Sequence, residues 1–195
     1  MRLVIGISGA SGALYGTRLL EVLKNKKIET HLIVTNWGTE IIKHETGLSV
    51  DYVKTLASKV YNDNDLASDV SSGSFKFDAM IIIPCSMKTI AGIASGYSST
   101  LLTRVADVAL KEKRKLILVP RETPLSAIHL KNMLTLSRLG VVILPAMPAF
   151  YHIPKSINDL SNHIVGKVLD QLEINHNLYK RWQNEIQPKI TKQIE

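Results

Sequence analysis

Ala79-Met80-Ile81-Ile82-Ile83-Pro84 contains no polar side chain. A strand with one wet face alternates apolar and polar residues, so this unbroken run marks a strand covered on both faces. Covering both faces takes helices on each side, as in parallel sheets built from strand–helix–strand units. The flanking sequence fits that plan. Residues 3–7 are short, apolar and β-leaning, and residues 13–24 carry Leu14, Leu19, Leu20, Val22 and Leu23 at helical spacing. Residues 31–35 read as the next strand, followed by helical and irregular segments to about Lys76. A helix is expected over 99–113. Two more buried strands are expected over 115–120 and 141–145, around a helical stretch at 126–139. Residues 158–173 carry Leu160, Ile164, Val168 and Leu172 on one helical stripe, and a last short helix is expected to hold Leu178 and Trp182. The expected fold class is α/β: a single-domain, Rossmann-like parallel sheet with helices on both faces.

Composition narrows the function. The chain has 195 residues, 45% hydrophobic and 21% charged, which suits one globular domain and argues against disorder. Cys85 is the only cysteine, so it forms no intramolecular disulfide and builds no zinc site alone. No apolar run approaches ~18 residues, and the N-terminus enters a strand directly without a signal-peptide layout. We therefore expect a cytoplasmic protein with no membrane association. The formal net charge is +7. Its basic residues are scattered, with a mild excess near Lys180, Arg181, Lys189 and Lys192, and lack interleaved stacking aromatics. A solvated basic tail is a better reading than nucleic-acid binding.

In open parallel sheets, ligands bind beyond the carboxyl ends of the strands. The first such end is Gly6-Ile7-Ser8-Gly9-Ala10-Ser11-Gly12-Ala13. Small residues let backbone approach a phosphate or flat ring, and a helix N-terminus follows. The spacing is neither the dinucleotide G-x-G-x-x-G nor a P-loop. Val34-Thr35-Asn36 ends the second strand without an acidic residue for an adenosine ribose, so a mononucleotide fits better than a dinucleotide. A tight turn packed by glycines is the plainer alternative.

Pro84-Cys85-Ser86-Met87-Lys88-Thr89 offers hydroxyls and N–H groups to a second side of the same ligand, or simply a helix cap at Ser86. Cys85 adjoins an apolar strand and reads as a packing residue, with its thiol pKa raised by burial. Ser72-Gly73-Ser74 is a loop or a lid. Arg104 and Lys111 share one helix face with Asp107 between them, which on spacing alone favours a surface salt-bridge stripe. Pro120-Arg121-Glu122-Thr123-Pro124 puts opposite charges at a strand's carboxyl end, before a helix with Pro124 near its first position. The stiff stretch from Pro145 to Pro154 contains Phe150, Tyr151 and His152 and could wall an apolar pocket with one polar tip. There are no histidine clusters, Cys-His metal spacings or paired aspartates for magnesium. Any phosphate ester would be held by protein cations, without a metal.

These motifs, in this order, resemble the UbiX-type flavin prenyltransferases. The resemblance rests on Gly9-Ala10-Ser11-Gly12-Ala13 with Tyr15-Gly16, Pro84 to Thr89, Arg104 to Glu112, Val119 to Pro124, and Pro148-Ala149-Phe150-Tyr151. It covers about residues 1–182 and is loosest over 50–69. It implies a flavodoxin-like FMN fold at 1–185, with a basic tail at 186–195, and assembly as a homo-oligomer, usually a dodecamer. It implies transfer of a dimethylallyl group from dimethylallyl phosphate to N5 and C6 of reduced FMN. The product, prenylated FMN, would serve a UbiD-type decarboxylase. Aromatic-acid decarboxylase is an older label for the family.

By that resemblance, Gly9, Ala10, Ser11, Thr35, Ser86, Met87, Lys88, Thr89 and Arg121 would bind FMN. Arg104, Lys111, Arg121, Glu122, Tyr151 and Lys167 would surround the prenyl phosphate. Ser11, Glu45, Glu122 and Tyr151 would be catalytic, Glu45 matching a family acidic residue near the flavin. Thr35 stands where Ser is common and keeps the hydroxyl. Trp37-Gly38 departs from the usual small alanines. Two other readings remain open. One is a flavin-dependent decarboxylase of cysteine-like substrates, against which stand Arg121-Glu122 and the lack of a Pro-x-Met-Asn loop. The other is a non-catalytic FMN carrier, which would not need the second cluster of cations and aromatics.

Overall fold

A computed structural model describes residues 1–182. The elements run β1 (Arg2–Ile7), α1 (Ala13–Asn25), β2 (Glu29–Val34), α2 (Asn36–Thr46), α3 (Val50–Thr55) and β3 (Lys59–Asn62). They continue with β4 (Ala79–Cys85), α4 (Met87–Ala94), α5 (Leu101–Lys111), β5 (Lys115–Pro120), α6 (Ala127–Arg138), β6 (Val142–Ile143) and α7 (Ile157–Gln171). The six strands are parallel, in the order β3-β2-β1-β4-β5-β6. Chain order reverses between β1 and β4, and their divergent loops leave a crevice at the carboxyl end.

Side-chain alternation along the central strands builds two separate cores. Leu3, Ile5 and Ile7 of β1 join Ile81 and Ile83 of β4 in a cluster with α1 and α7. Val4, Met80 and Ile82 face the other way, into α4, α5 and α6. All seven residues of β4 are buried, as its apolar run requires. Each such side chain contributes roughly 1.5–3 kcal/mol. Since α5 and α7 belong to different clusters, they cover opposite faces of the sheet.

The structure corrects four expectations. β3 lies in a stretch read as helical and irregular; among its four residues only Tyr61 is buried, so this edge strand shows no periodic apolar pattern. β6 has two half-buried residues rather than five buried ones. Leu144 and Ala146 still donate backbone hydrogen bonds to Leu118 and Pro120, but Pro145 between them has no N–H to continue a ladder. Pro124 lies three residues before α6, whose cap is Ser126. Leu178 and Trp182 are not helical: the chain turns after α7 at Glu173, with φ 58°, and side chains tie the next segment back onto that helix. The expected tail at 186–195 lies outside the described residues.

Candidate functional site

Hydrogen bonds lace the strand-end loops together. Ser8, 1% exposed, donates from Oγ to the Pro84 carbonyl at 2.8 Å and accepts from the Ser86 N–H at 2.8 Å. Thr35 N–H donates to the Ile7 carbonyl, and Arg121 N–H to that of Cys85. Arg121 Nε donates to the Ser11 carbonyl at 3.3 Å. The loops after β1, β2, β4 and β5 therefore form one connected rim.

Two helix N-termini open on this rim. Thr35 caps α2 by accepting from Gly38 N–H, and Ser86 caps α4 by accepting from Thr89 N–H. A Cβ on Gly38 would lie 2.5 Å from the Ile7 carbonyl oxygen, so only glycine lets α2 start this close to β1. A Cβ on Gly9 would meet the Trp37 Cβ at 2.4 Å. The Trp37 ring itself is exposed, so its bulk points away from the Thr35 cap's backbone contacts. Ala10, Met87 and Thr89 are buried, Ser11 and Ser86 half-buried, and Lys88 exposed. Cys85 is fully buried, and burial pushes its thiol pKa upward, as expected for a packing residue.

The N-terminus of α1 is already engaged. Glu45 accepts from the Gly12 and Ala13 N–H groups at 2.7 and 2.9 Å, standing where the sequence suggested an anionic ligand. Two concavities then meet at Arg121. One, of about 360 Å³, is lined by Ser11, Tyr15, His44, Glu45 and Arg121, among others. The other, of about 510 Å³, has Met87, Arg121, Glu122, Met133 and Met147 in its wall and is of a size usual for small-molecule sites. Burial, and then the Glu45 charge, raise the Tyr15 pKa, while Arg121 opposes them. Glu122 is exposed and accepts from Thr123 N–H at 3.1 Å. No ion pair joins it to Arg121 among the described residues.

The remaining cations are dispersed. Arg104 pairs loosely with Asp107 at 3.3 Å and donates to the Ser71 carbonyl; Lys111 lies 3.5 Å from Glu112. Lys167 is 3.8 Å from Asp170 on α7. Because α5 and α7 cover opposite faces, one chain does not bring Arg104 and Lys111 together with Lys167. Tyr151 sits on the α7 side, edge-on to His152, His163 and Trp182. His152 and His163 stack with centroids 5.2 Å apart. Burial lowers the His163 pKa, and His152 and Lys167 lower it further.

Sequence reasoning did not assign Ser8, Tyr15, His44 or Asp170. Ser8 was within the quoted glycine turn and Tyr15 beside it, but a hydroxyl that staples two loops has no local signature. Asp170 reads as an ordinary polar position on an amphipathic helix. No helix among the described residues is long and apolar enough to cross a membrane. No group of three or more His, Cys, Asp or Glu side chains among them could hold a metal ion.

A doubly wound sheet with a laced, small-residue crevice at its reversal point defines a mononucleotide-binding α/β protein. Comparison with known proteins narrows this class. The family model described as Flavoprotein matches residues 1–169. The flavin prenyltransferase UbiX of Methanocaldococcus jannaschii is 51% identical, over 93% of this chain and 98% of that one. A solved dodecameric FMN-dependent UbiX-like decarboxylase from Escherichia coli O157:H7 superposes with a TM-score of 0.92 at 51% identity, over 94% of this chain and all of that one. AnUbiX (PadA1), solved in complex with FMN and dimethylallyl pyrophosphate, gives 0.92 at 48% identity, over 93% and 97% of the two chains. The chain belongs to the UbiX-type flavin prenyltransferases of the flavoprotein family.

Proposed function

We propose that this protein transfers a dimethylallyl group from dimethylallyl phosphate to N5 and C6 of reduced FMN. The observation that carries the reading is the position of Arg121 in the wall of two adjoining concavities. A two-substrate transferase needs such neighbouring sites, whereas a carrier needs one. Small residues and half-buried hydroxyls at Gly9–Ser11, Thr35 and Ser86–Thr89 suit the flavin. With Glu45 of α2 occupying the N-terminus of α1, the N-termini of α2 and α4 are the rim's helix ends left for its phosphate.

Reduced FMN supplies the nucleophilic ring atoms. As the prenyl C–O bond breaks, phosphate leaves with the bonding electrons and gains negative charge. Arg104, Lys111, Lys167 and Arg121 stabilise it, each charge-assisted contact contributing roughly 1.5–3 kcal/mol. Glu122 holds or delivers a proton to the leaving group, and Tyr151 supplies a hydroxyl beside it. N5 gives up its proton on alkylation. The prenyl C=C then takes a proton at its central carbon, from Glu122 or the departed phosphate, so that its tertiary carbon bonds to C6, and a carboxylate or the phosphate removes the C6 proton. The dispersal of the cations over two sheet faces supports a site completed by a second copy, within an oligomer of the dodecameric kind. Protein cations fill the role that a metal has in other prenyl transfers. The product is then handed to a UbiD-type decarboxylase. A single thiol and a reduced flavin substrate suit the cytoplasm.

The test is mass spectrometry of the bound flavin after anaerobic incubation with reduced FMN and dimethylallyl phosphate or diphosphate. The expected product is FMN carrying one five-carbon unit. Bound FMN of unchanged mass with both donors would overturn the transferase reading and leave the carrier and the cysteine-type decarboxylase.

A further inference from the structure

Residues 174–182 lie back along α7, with Ile174 and Leu178 packed on the core and four polar contacts gathered on one side chain. Asp170 accepts from Tyr179 Oη at 2.6 Å, Arg181 Nη2 at 2.6 Å and Arg181 Nη1 at 3.3 Å, and pairs with His176 Nε2 at 3.1 Å. One turn earlier on the same helix face is Gly166. A Cβ there would meet the Tyr179 ring at 2.5 Å and His176 Cε1 at 2.7 Å. Gly166 thus provides the seat and Asp170 the anchor. The segment they hold ends at Trp182, whose ring meets Tyr151 edge-on, with centroids 5.5 Å apart and planes at 89°. Tyr179 also packs on His163, which supports Tyr151 from the other side.

The same anchor governs a charge. Asp170 lies 3.8 Å from Lys167, but its carboxylate is engaged more closely by Arg181. Arg181 offsets much of that carboxylate's charge, so Asp170 pulls less strongly on the Lys167 ammonium.

We propose that Asp170, with Gly166 as its seat, is a positioning residue for the prenyl-phosphate side of the site: it clamps residues 174–182 to α7 and sets Trp182 against Tyr151. This rests on the reading that Tyr151 serves the prenyl phosphate. On that reading Asp170 acts through Tyr151 and not on the donor itself.

The test compares wild type with Asp170→Asn, Arg181→Met and Gly166→Ala. Arg181 is largely exposed, and alanine at 166 favours the helix, so the second and third variants fold even if the first does not. Each is expected to raise KM for dimethylallyl phosphate about tenfold with FMN affinity unchanged, as loss of substrate positioning requires. Asp170→Asn with Arg181→Met should cost no more than either alone, because both act through one clamp. In a Trp37→Phe background, acrylamide should quench Trp182 more readily in each variant, with no donor present. Wild-type KM in Arg181→Met and Gly166→Ala, in an active enzyme, overturns the clamp. So does unchanged quenching. Wild type that transfers no prenyl group refutes the functional reading itself, and the inference with it.

Discussion

The loop rim proposed to hold the flavin and the cations proposed to hold the prenyl phosphate are built in different ways. The rim is knitted within one chain by hydrogen bonds of 2.8–3.4 Å that join the loops of Ser8, Thr35, Ser86 and Arg121. The cations are exposed, loosely paired, and divided between α5 on one sheet face and α7 on the other. Folding of the protomer is enough to form the first region. On the proposed reading, the second is completed only where the protomer's surfaces meet those of other copies, so that the fold makes the nucleotide pocket and the assembly would make the transfer site.

The sharpest break of this contrast comes from Lys111→Ala. If Lys111 stabilises the departing phosphate, steady-state prenyl transfer should fall roughly 10²–10³-fold, as on losing one transition-state donor. FMN titration should give the wild-type affinity, because the rim lacks Lys111. Normal turnover would return Lys111 to a surface pair with Glu112. Mixing sharpens the point. Lys111→Ala and Lys167→Ala chains, each nearly inactive alone, should regain roughly a quarter of wild-type activity when co-assembled at equal amounts, since random pairing leaves that share of two-chain sites intact. No recovery would put both lysines in one chain's site.

How much of this was legible in the sequence follows the same division. β4 and β5 announce themselves, because burial on both faces demands unbroken apolar runs. The small-residue loop after β1 was legible as a place of close backbone approach for a comparable reason: such approach restricts residue type. β3 was not, since an edge strand with one buried residue has no pattern to repeat. Arg104 and Lys111 could be placed on one helix face, but spacing does not separate a surface stripe from a site that another chain completes. Glu45 was placed near the ligand by resemblance. Its grip on Gly12 and Ala13, thirty-odd residues away, depends on how α2 packs beside α1, which no local pattern encodes.

Two smaller effects probe how firmly each region is held. Gly38→Ala would press a Cβ against the Ile7 carbonyl oxygen, a backbone atom that has little room to move. The cost should be about 1–3 kcal/mol, with weaker FMN binding as α2 retreats, read by thermal melts and titration. An unchanged melt would mean that the rim yields easily. On the other side, burial alone would raise the Asp170 pKa, but Arg181, Tyr179 and His176 outweigh it and hold the pKa at about 2. A folded-state value below the unfolded one gives stability that is present above pH ~4 and lost as pH falls towards 2. After allowance for solvent screening this amounts to about 1 kcal/mol. Denaturation midpoints of wild type and Asp170→Asn should therefore differ at pH 7 and converge between pH 4 and 2. A gap that persists at pH 2 would assign it to lost shape rather than lost charge.

The smallest expected effect concerns Trp37, the departure from the family pattern. A bulky side chain beside Thr35 suggests altered packing at the rim, and the geometry argues otherwise. What approaches Gly9 is the Trp37 Cβ, which alanine also has, while Trp37 as a whole is 71% exposed. The cap itself runs from Gly38 N–H to Thr35 Oγ1 at 3.0 Å and does not involve the ring. Trp37→Ala should therefore leave stability within about 0.5 kcal/mol of wild type, as exposed substitutions usually do. FMN affinity should stay within about twofold, because no rim contact is removed. Gly9→Ala is the matching control: it adds the Cβ for which there is no room and should weaken FMN binding. If Trp37→Ala instead changes affinity as much as Gly9→Ala, the ring is part of the flavin site, and the division between a self-contained rim and an assembled cation cluster has to be redrawn around α2.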